Sequence, residues 1–165
     1  MPQWPVRLAR ATRDPCHAVL VSLDPRRLPA SALRFLAERH LATLTTVRRD
    51  GSPHVVPVGF TWDDAAQVAR IITSGDTIKA RNAMRGGRAA LCQVDGWRWL
   101  TLEGPVSVLV HPEQVAEAVR RYAERYRTPR ANPARVVLQI QVDQALGLLE
   151  RPAHPPSAAP EVLPG

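Results

Sequence analysis

Residues 40–58 read His40-Leu41-Ala42-Thr43-Leu44-Thr45-Thr46-Val47-Arg48-Arg49-Asp50-Gly51-Ser52-Pro53-His54-Val55-Val56-Pro57-Val58. Leu41 to Val47 is apolar and threonine-rich, a composition that fits a pleated, half-buried strand. Arg49-Asp50-Gly51-Ser52 supplies a turn, and Asp-Gly is a favoured hairpin dipeptide because glycine tolerates positive φ. The spacing predicts a return strand from His54 to Trp62. This hairpin sets an antiparallel pattern that the next segments continue. Asp63-Asp64-Ala65-Ala66 turns again, and Val68 to Thr73 reads as a third strand.

Thr77 to Met84 has the length of a short helix, closed by Gly86-Gly87. Arg88 to Val94 and Arg98 to Val110 read as two more strands joined at Asp95-Gly96, the second bent at Gly104-Pro105. Upstream, Ser31 to His40 places Leu33, Leu36 and Ala37 on one helical face, with Ser31 as its cap. Downstream, Pro112 opens a helix with Val115, Val119, Tyr122 and Tyr126 as its apolar stripe. Arg120, Arg121, Glu124 and Arg125 lie opposite, and Glu117 can pair with Arg121. Arg135 to Val142 alternates as a last strand. Six strands, tight turns and few helices predict a mainly β (α+β) domain, a small antiparallel barrel with peripheral helices.

The 165 residues suit one domain with tails. Ten of the 16 prolines lie in residues 1–29 and 151–165. Both segments are expected to be a disordered extension and a disordered tail around a domain at 30–150. No apolar run of membrane-spanning length occurs, and no signal-peptide pattern is present. Two cysteines, Cys16 and Cys92, provide no disulfide framework and no zinc motif. A reduced, cytoplasmic protein is expected. The net charge is +7, but no Lys/Arg blocks interleave with aromatics as nucleic-acid binding would require. An anionic small ligand fits this balance equally well. Of the 22 basic residues only Lys79 is a lysine, which points to a place for a compact ammonium; chance explains it equally well.

Signatures of nucleophilic, metallopeptidase, P-loop and dinucleotide chemistry are missing. His54 is the histidine best placed for a site, just after a turn; a lone histidine there is more often a surface or satisfied strand residue. In Thr73-Ser74-Gly75-Asp76-Thr77-Ile78-Lys79-Ala80-Arg81-Asn82, a strand ends in hydroxyls and a helix begins, an arrangement that can grip a phosphate. An ordinary strand–turn–helix connection capped by Thr77 is the alternative. Gln93, Trp97, Arg98 and Trp99 cluster at another turn and offer ring stacking, core packing or a subunit interface. No metal site is expected.

The order of these motifs resembles the pyridoxamine 5′-phosphate oxidase-like split β-barrel superfamily, over about residues 31–149. Within it the chain is similar to the branch that uses the deazaflavin coenzyme F420 instead of FMN. Trp99-Leu100-Thr101-Leu102-Glu103-Gly104, Arg121 to Arg130 and Asn132-Pro133 resemble its biliverdin-reducing members. The resemblance implies a six-stranded split barrel and a homodimer with cofactor sites at the interface. It implies that His54, Val55, Val56, Pro57 and Val58 line the deazaflavin ring. Thr73, Ser74, Lys79 and Asn82 would hold the phosphate and the start of the anionic tail, helped by Arg81. Gln93, Trp97 and Trp99 would approach the ring. Thr77 stands where some relatives carry a second basic residue. The implied activity is hydride transfer from reduced F420 to an electron-poor acceptor, biliverdin or another tetrapyrrole. An FMN-dependent oxidase or reductase and a non-catalytic flavin-binding module are the alternatives.

Overall fold

The computed structural model describes residues 21–150. They form nine strands and three α-helices. The strands are β1 (Val21–Leu23), β2 (Ala42–Val47), β3 (Pro53–Val58), β4 (Thr61–Asp63), β5 (Val68–Ser74), β6 (Arg88–Asp95), β7 (Arg98–Leu109), β8 (Arg135–Gln141) and β9 (Gln144–Leu148). The helices are α1 (Ala30–Ala37), α2 (Ile78–Met84) and α3 (Pro112–Arg125), and a 3-10 turn covers Pro25–Arg27. Every strand pair is antiparallel. The spatial order is β3-β2-β6-β7-β8-β5-β4, with β9 between β7 and β1. This is the split barrel: the sheet coils around one core and stays open between its end strands.

The long strand β7 joins the two halves. Its first part pairs with β6 and β9, and its last part, Val106 to Leu109, pairs with β8. The bend falls at Gly104-Pro105, as the sequence predicts. A Cβ on Gly104 would sit 1.8 Å from the Gln141 carbonyl oxygen, so only glycine lets β7 pass there. Inward-facing Leu44, Leu91, Leu100, Leu102, Ile71, Leu138 and Ile140 fill the core with Phe35 of α1 and Phe60.

The structure corrects several expectations. The predicted 54–62 strand is broken at Gly59-Phe60 into β3 and β4, which lie at opposite ends of the sheet. Phe60 plunges into the core there, and Gly59 lies under the Tyr122 ring, 2.8 Å from where a Cβ would be. Residues 21–29 belong to the domain and not to a disordered extension: β1 pairs with β9, and Leu28 is buried in the core. The remaining calls on residues 1–20 and 151–165 fall outside the described residues. Pro29, not Ser31, stands at the α1 N-terminus, and the helix buries Ala32, Phe35 and Leu36. Arg125, assigned to the solvent face of α3, turns inward. Its guanidinium lies 4.3 Å from the Phe60 ring centroid and donates to Phe60 O, Glu38 O and Gln93 Oε1.

Candidate active site

Strand β3 ends the sheet and pairs only with β2 among the described residues. Pro53 and Pro57 suit that place, since a proline cannot donate to a second neighbour. The register sets His54 opposite Thr46 and Val56 opposite Leu44. Thr46 points inward and accepts a hydrogen bond from Asn82 Nδ2 at 2.9 Å. Opposed residues share a face, so His54 stands on the side where α2 packs. One turn before Asn82, α2 carries Lys79.

The charges of Arg48 and Lys79 both act on His54 at this end of the barrel. Burial pushes the imidazole of His54 below its ordinary pKa, and the charges of Arg48 and Lys79 push it further. Burial likewise lowers the Lys79 ammonium. Lys79 has no hydrogen-bond or ion-pair partner among the described residues, while Arg70, Arg88, Arg98, Arg120 and Arg121 each pair with a carboxylate. A half-buried cation costs free energy unless an anion meets it. The Lys79 ammonium suits a phosphate oxygen; the Arg48 guanidinium already donates through Nη1 to Ser52 Oγ and Pro53 O, and the Thr73 hydroxyl lies against Thr77 Oγ1.

The other sequence-predicted residues divide. Thr73 and Ser74 are consecutive on β5 and therefore point to opposite faces. Thr73 Oγ1 lies 3.4 Å from Thr77 Oγ1 at the start of α2. Ser74 lies across from Arg135 of β8. Thr77 is the α2 cap: its hydroxyl accepts from Ala80 N and donates to Ser74 O. Arg81 donates to Asp76 O and not toward Lys79. Asn82 is buried, with its amide on Thr46 and its carbonyl oxygen taken by Arg85 at 2.8 Å. These bonds seat α2 against β2.

Gln93 is 0% exposed, deep on the inner face of β6. It donates to Phe35 O at 2.6 Å and accepts from Arg125. It braces α1 and α3 against the inner face of β6. The turn after it is held by Arg98, which binds both carboxylate oxygens of Glu38 at 2.9 Å and reaches Asp95. Glu38, His40 and Asp95 also bring ligand-type atoms within 4.8 Å of one another, but both carboxylates already hold the Arg98 guanidinium. Trp97 is exposed at the turn, and Trp99 lies on the outer face beside Leu148.

That outer face is apolar. Val47 of β2, Val55 of β3 and Val94 of β6 are 51%, 56% and 53% exposed. Val55 and Pro57 thus face away from the side of His54, Val56 and Val58. Arg48 was not singled out from the sequence. The hairpin register held the signal, since the Asp50-Gly51 turn sets Ser52 opposite Arg48 and His54 opposite Thr46, two residues along the same face.

Comparison with known proteins places this geometry. The chain matches the pyridoxamine 5′-phosphate oxidase family over residues 28–148. It is 56% identical over 128 residues to an F420-dependent biliverdin reductase of Mycobacterium tuberculosis (strain CDC 1551 / Oshkosh), spanning 76% of this chain and 93% of that relative. Among solved structures, a conserved hypothetical protein of Mycobacterium tuberculosis is 21% identical with a TM-score of 0.64, over 81% of this chain and 96% of the other. An F420 reductase is 24% identical with a TM-score of 0.59, over 72% and 98%. Both share the fold. By its sequence and its split barrel alike, the chain belongs to the pyridoxamine 5′-phosphate oxidase family.

Proposed function

We propose that this protein is an F420-dependent reductase that transfers a hydride to biliverdin, giving bilirubin. The observation that carries the reading is Lys79, a half-buried ammonium without an acidic partner, whose charge is felt at His54. It marks the place for an anionic cofactor group at the end of the β3 strand. The 56% identity to a biliverdin reductase favours F420 over FMN as the occupant.

Lys79, Arg48 and Thr73 would bind the cofactor phosphate. His54, Val56 and Val58 would form one side of the ring site, with the unpaired backbone edge of β3 beside them. When bound, the reduced deazaflavin supplies the hydride. The chain's own work is to orient the ring and exclude water. A homodimer completes the site. The exposed valines of the outer face support this, because a domain of about 130 residues encloses a long anionic cofactor poorly alone. No helix among the described residues is long and apolar enough to cross a membrane. The free thiol of Cys92 fits a cytoplasmic setting.

The test is parallel titration with F420 and FMN, followed by biliverdin turnover with reduced F420. Tight F420 binding and loss of biliverdin absorbance are expected. Tighter binding of FMN would overturn the reading.

A further inference from the structure

We infer that the cleft between the C-terminal end of α3 and the 127–135 connection is a second anion site, built for a small molecule that carries several carboxylates. The cleft measures about 760 Å³ and is lined by Tyr122, Arg127, Arg130, Asn132 and Arg135, among others. Arg127, Arg130 and Arg135 form no ion pair among the described residues. The preceding helix differs: Arg120 and Arg121 of α3 are neutralised by Glu117, Glu124 and Asp63. Three guanidiniums therefore line one cleft with no carboxylate of the described residues paired to them.

The cleft is rigidly framed. Asn132 Oδ1 accepts from Ala134 N at 2.9 Å, and Arg135 N donates to Asn132 O at 3.2 Å. The Arg135 guanidinium donates to Arg130 O. Gly75 N donates to Ala134 O at 2.9 Å, tying the connection to the turn before α2. Pro129 and Pro133 restrict the loop further. Such preorganisation lowers the entropic cost of binding.

Size and charge select the ligand. Clefts of roughly 300–1,000 Å³ suit small organic molecules, and a lone phosphate would leave most of this one empty. A guanidinium fork can donate two parallel hydrogen bonds to one carboxylate. A molecule with two or three spaced carboxylates fits best. Arg135 lies across from Ser74, and Thr73, the next residue, turns to the other face toward α2. The cleft thus adjoins the proposed cofactor site around the end of β5. Two sources share the required chemistry: a carboxylate-bearing extension of the cofactor, and the paired propionates of a tetrapyrrole substrate. The source rests on the proposed function; the anion affinity of the cleft does not.

The experiment begins with the protein without cofactor and γ-linked triglutamate as probe, followed by calorimetry at two salt concentrations. The wild type should bind, and Arg127→Gln/Arg130→Gln should weaken binding about tenfold or more. Both side chains are exposed, so the variant should keep its melting temperature. Absent wild-type binding, or equal binding by the variant, overturns the site. Two further arms name the source. A loss confined to F420 with several glutamates, relative to F420 with one, assigns the cleft to the cofactor. A raised KM for biliverdin, but not for its dimethyl ester, assigns it to the substrate. If neither moves, the cleft serves no ligand of this reaction and the inference fails. If the wild type binds no F420 at all, the proposed function fails while the triglutamate arm still reads the cleft.

Discussion

The Asn82 side chain of α2 donates from Nδ2 to Thr46 Oγ1 of β2 at 2.9 Å, and both residues are buried. This bond fixes the rotation of α2 about its axis. It thereby fixes where Lys79, one turn earlier, stands relative to His54, the residue paired with Thr46. Asn82→Ala should destabilise the fold by roughly 1–3 kcal/mol, because Thr46 and Arg85 both lose a partner. Chemical denaturation measures the loss, and a double-mutant cycle with Thr46→Val should show coupling. Unchanged stability with weakened cofactor binding would instead make Asn82 a direct ligand.

Lys79→Ala should behave in the opposite manner. A charge-assisted bond to a phosphate contributes about 1.5–3 kcal/mol, so F420 affinity should fall roughly 10- to 150-fold. The cofactor-free protein should be as stable as wild type or more so, since burial already opposes this charge. Lys79→Arg should rescue partly, because the fork is longer and planar. Binding titrations paired with thermal melts check both halves. An affinity change below twofold would place the phosphate elsewhere.

His54 adds a pH dependence whose sign is fixed. Burial, Arg48 and Lys79 lower its pKa below the ordinary 6.5. The unfolded chain therefore takes up the proton first as pH falls, so His54 subtracts stability on acidification below about 6.5. The effect on the fold should be small for a partly exposed group. An anionic cofactor reverses the preference. Its affinity should rise as pH falls through the folded-state pKa of His54, and His54→Gln should flatten that rise. Titrations from about pH 5.5 to 8 read it. A flat wild-type profile would remove His54 from the cofactor's surroundings.

Arg125 and Gln93 show what was and was not legible in the sequence. Alternation along Ala89, Leu91 and Gln93 already puts Gln93 on the inner face of its strand, so a polar partner inside the core was implied. The partner, Arg125, hides in a helical sequence whose other arginines face water. The hairpins, the β7 bend and all three helices follow from local turn chemistry and periodicity. Three-residue β1 and glycine-containing β9 do not. Gly147 reads as a strand breaker, yet it is needed there, because a Cβ would meet Trp99 O at 2.5 Å. The break at Gly59 was equally hidden, since only the packing of Tyr122 shows why the chain must turn there. In the site, Lys79 stood out by its uniqueness, whereas the opposite facing of Thr73 and Ser74 needed the strand's exact extent.

Arg125→Ala should cost roughly 1–3 kcal/mol or more, because it leaves the buried Gln93 Oε1 and the Phe60 and Glu38 carbonyls short of a donor. Arg125→Lys should not restore it, as one ammonium cannot span three acceptors while lying over the Phe60 ring. Urea titration of both variants tests this. Full recovery by lysine would show that charge alone matters.

The last prediction concerns the outer face. Val47, Val55 and Val94 come from three adjacent strands and are each about half exposed. Exposed apolar side chains spread over one sheet face favour burial against a second copy, at roughly 25 cal/mol per Å² removed from water. A glutamate there would be desolvated in the interface without a partner, which costs several kcal/mol. Val55→Glu should therefore give a monomer in sedimentation at micromolar concentration. It should also lose most F420 affinity, because β3 would line a site that only the second copy closes. Val110 is more exposed still, at 68%, but lies beyond the end of β7, past its pairing with β8. Val110→Glu should leave both the dimer and cofactor binding intact. If Val55→Glu remains dimeric, or if the wild type is monomeric and fully active, the interface lies on another face or does not exist.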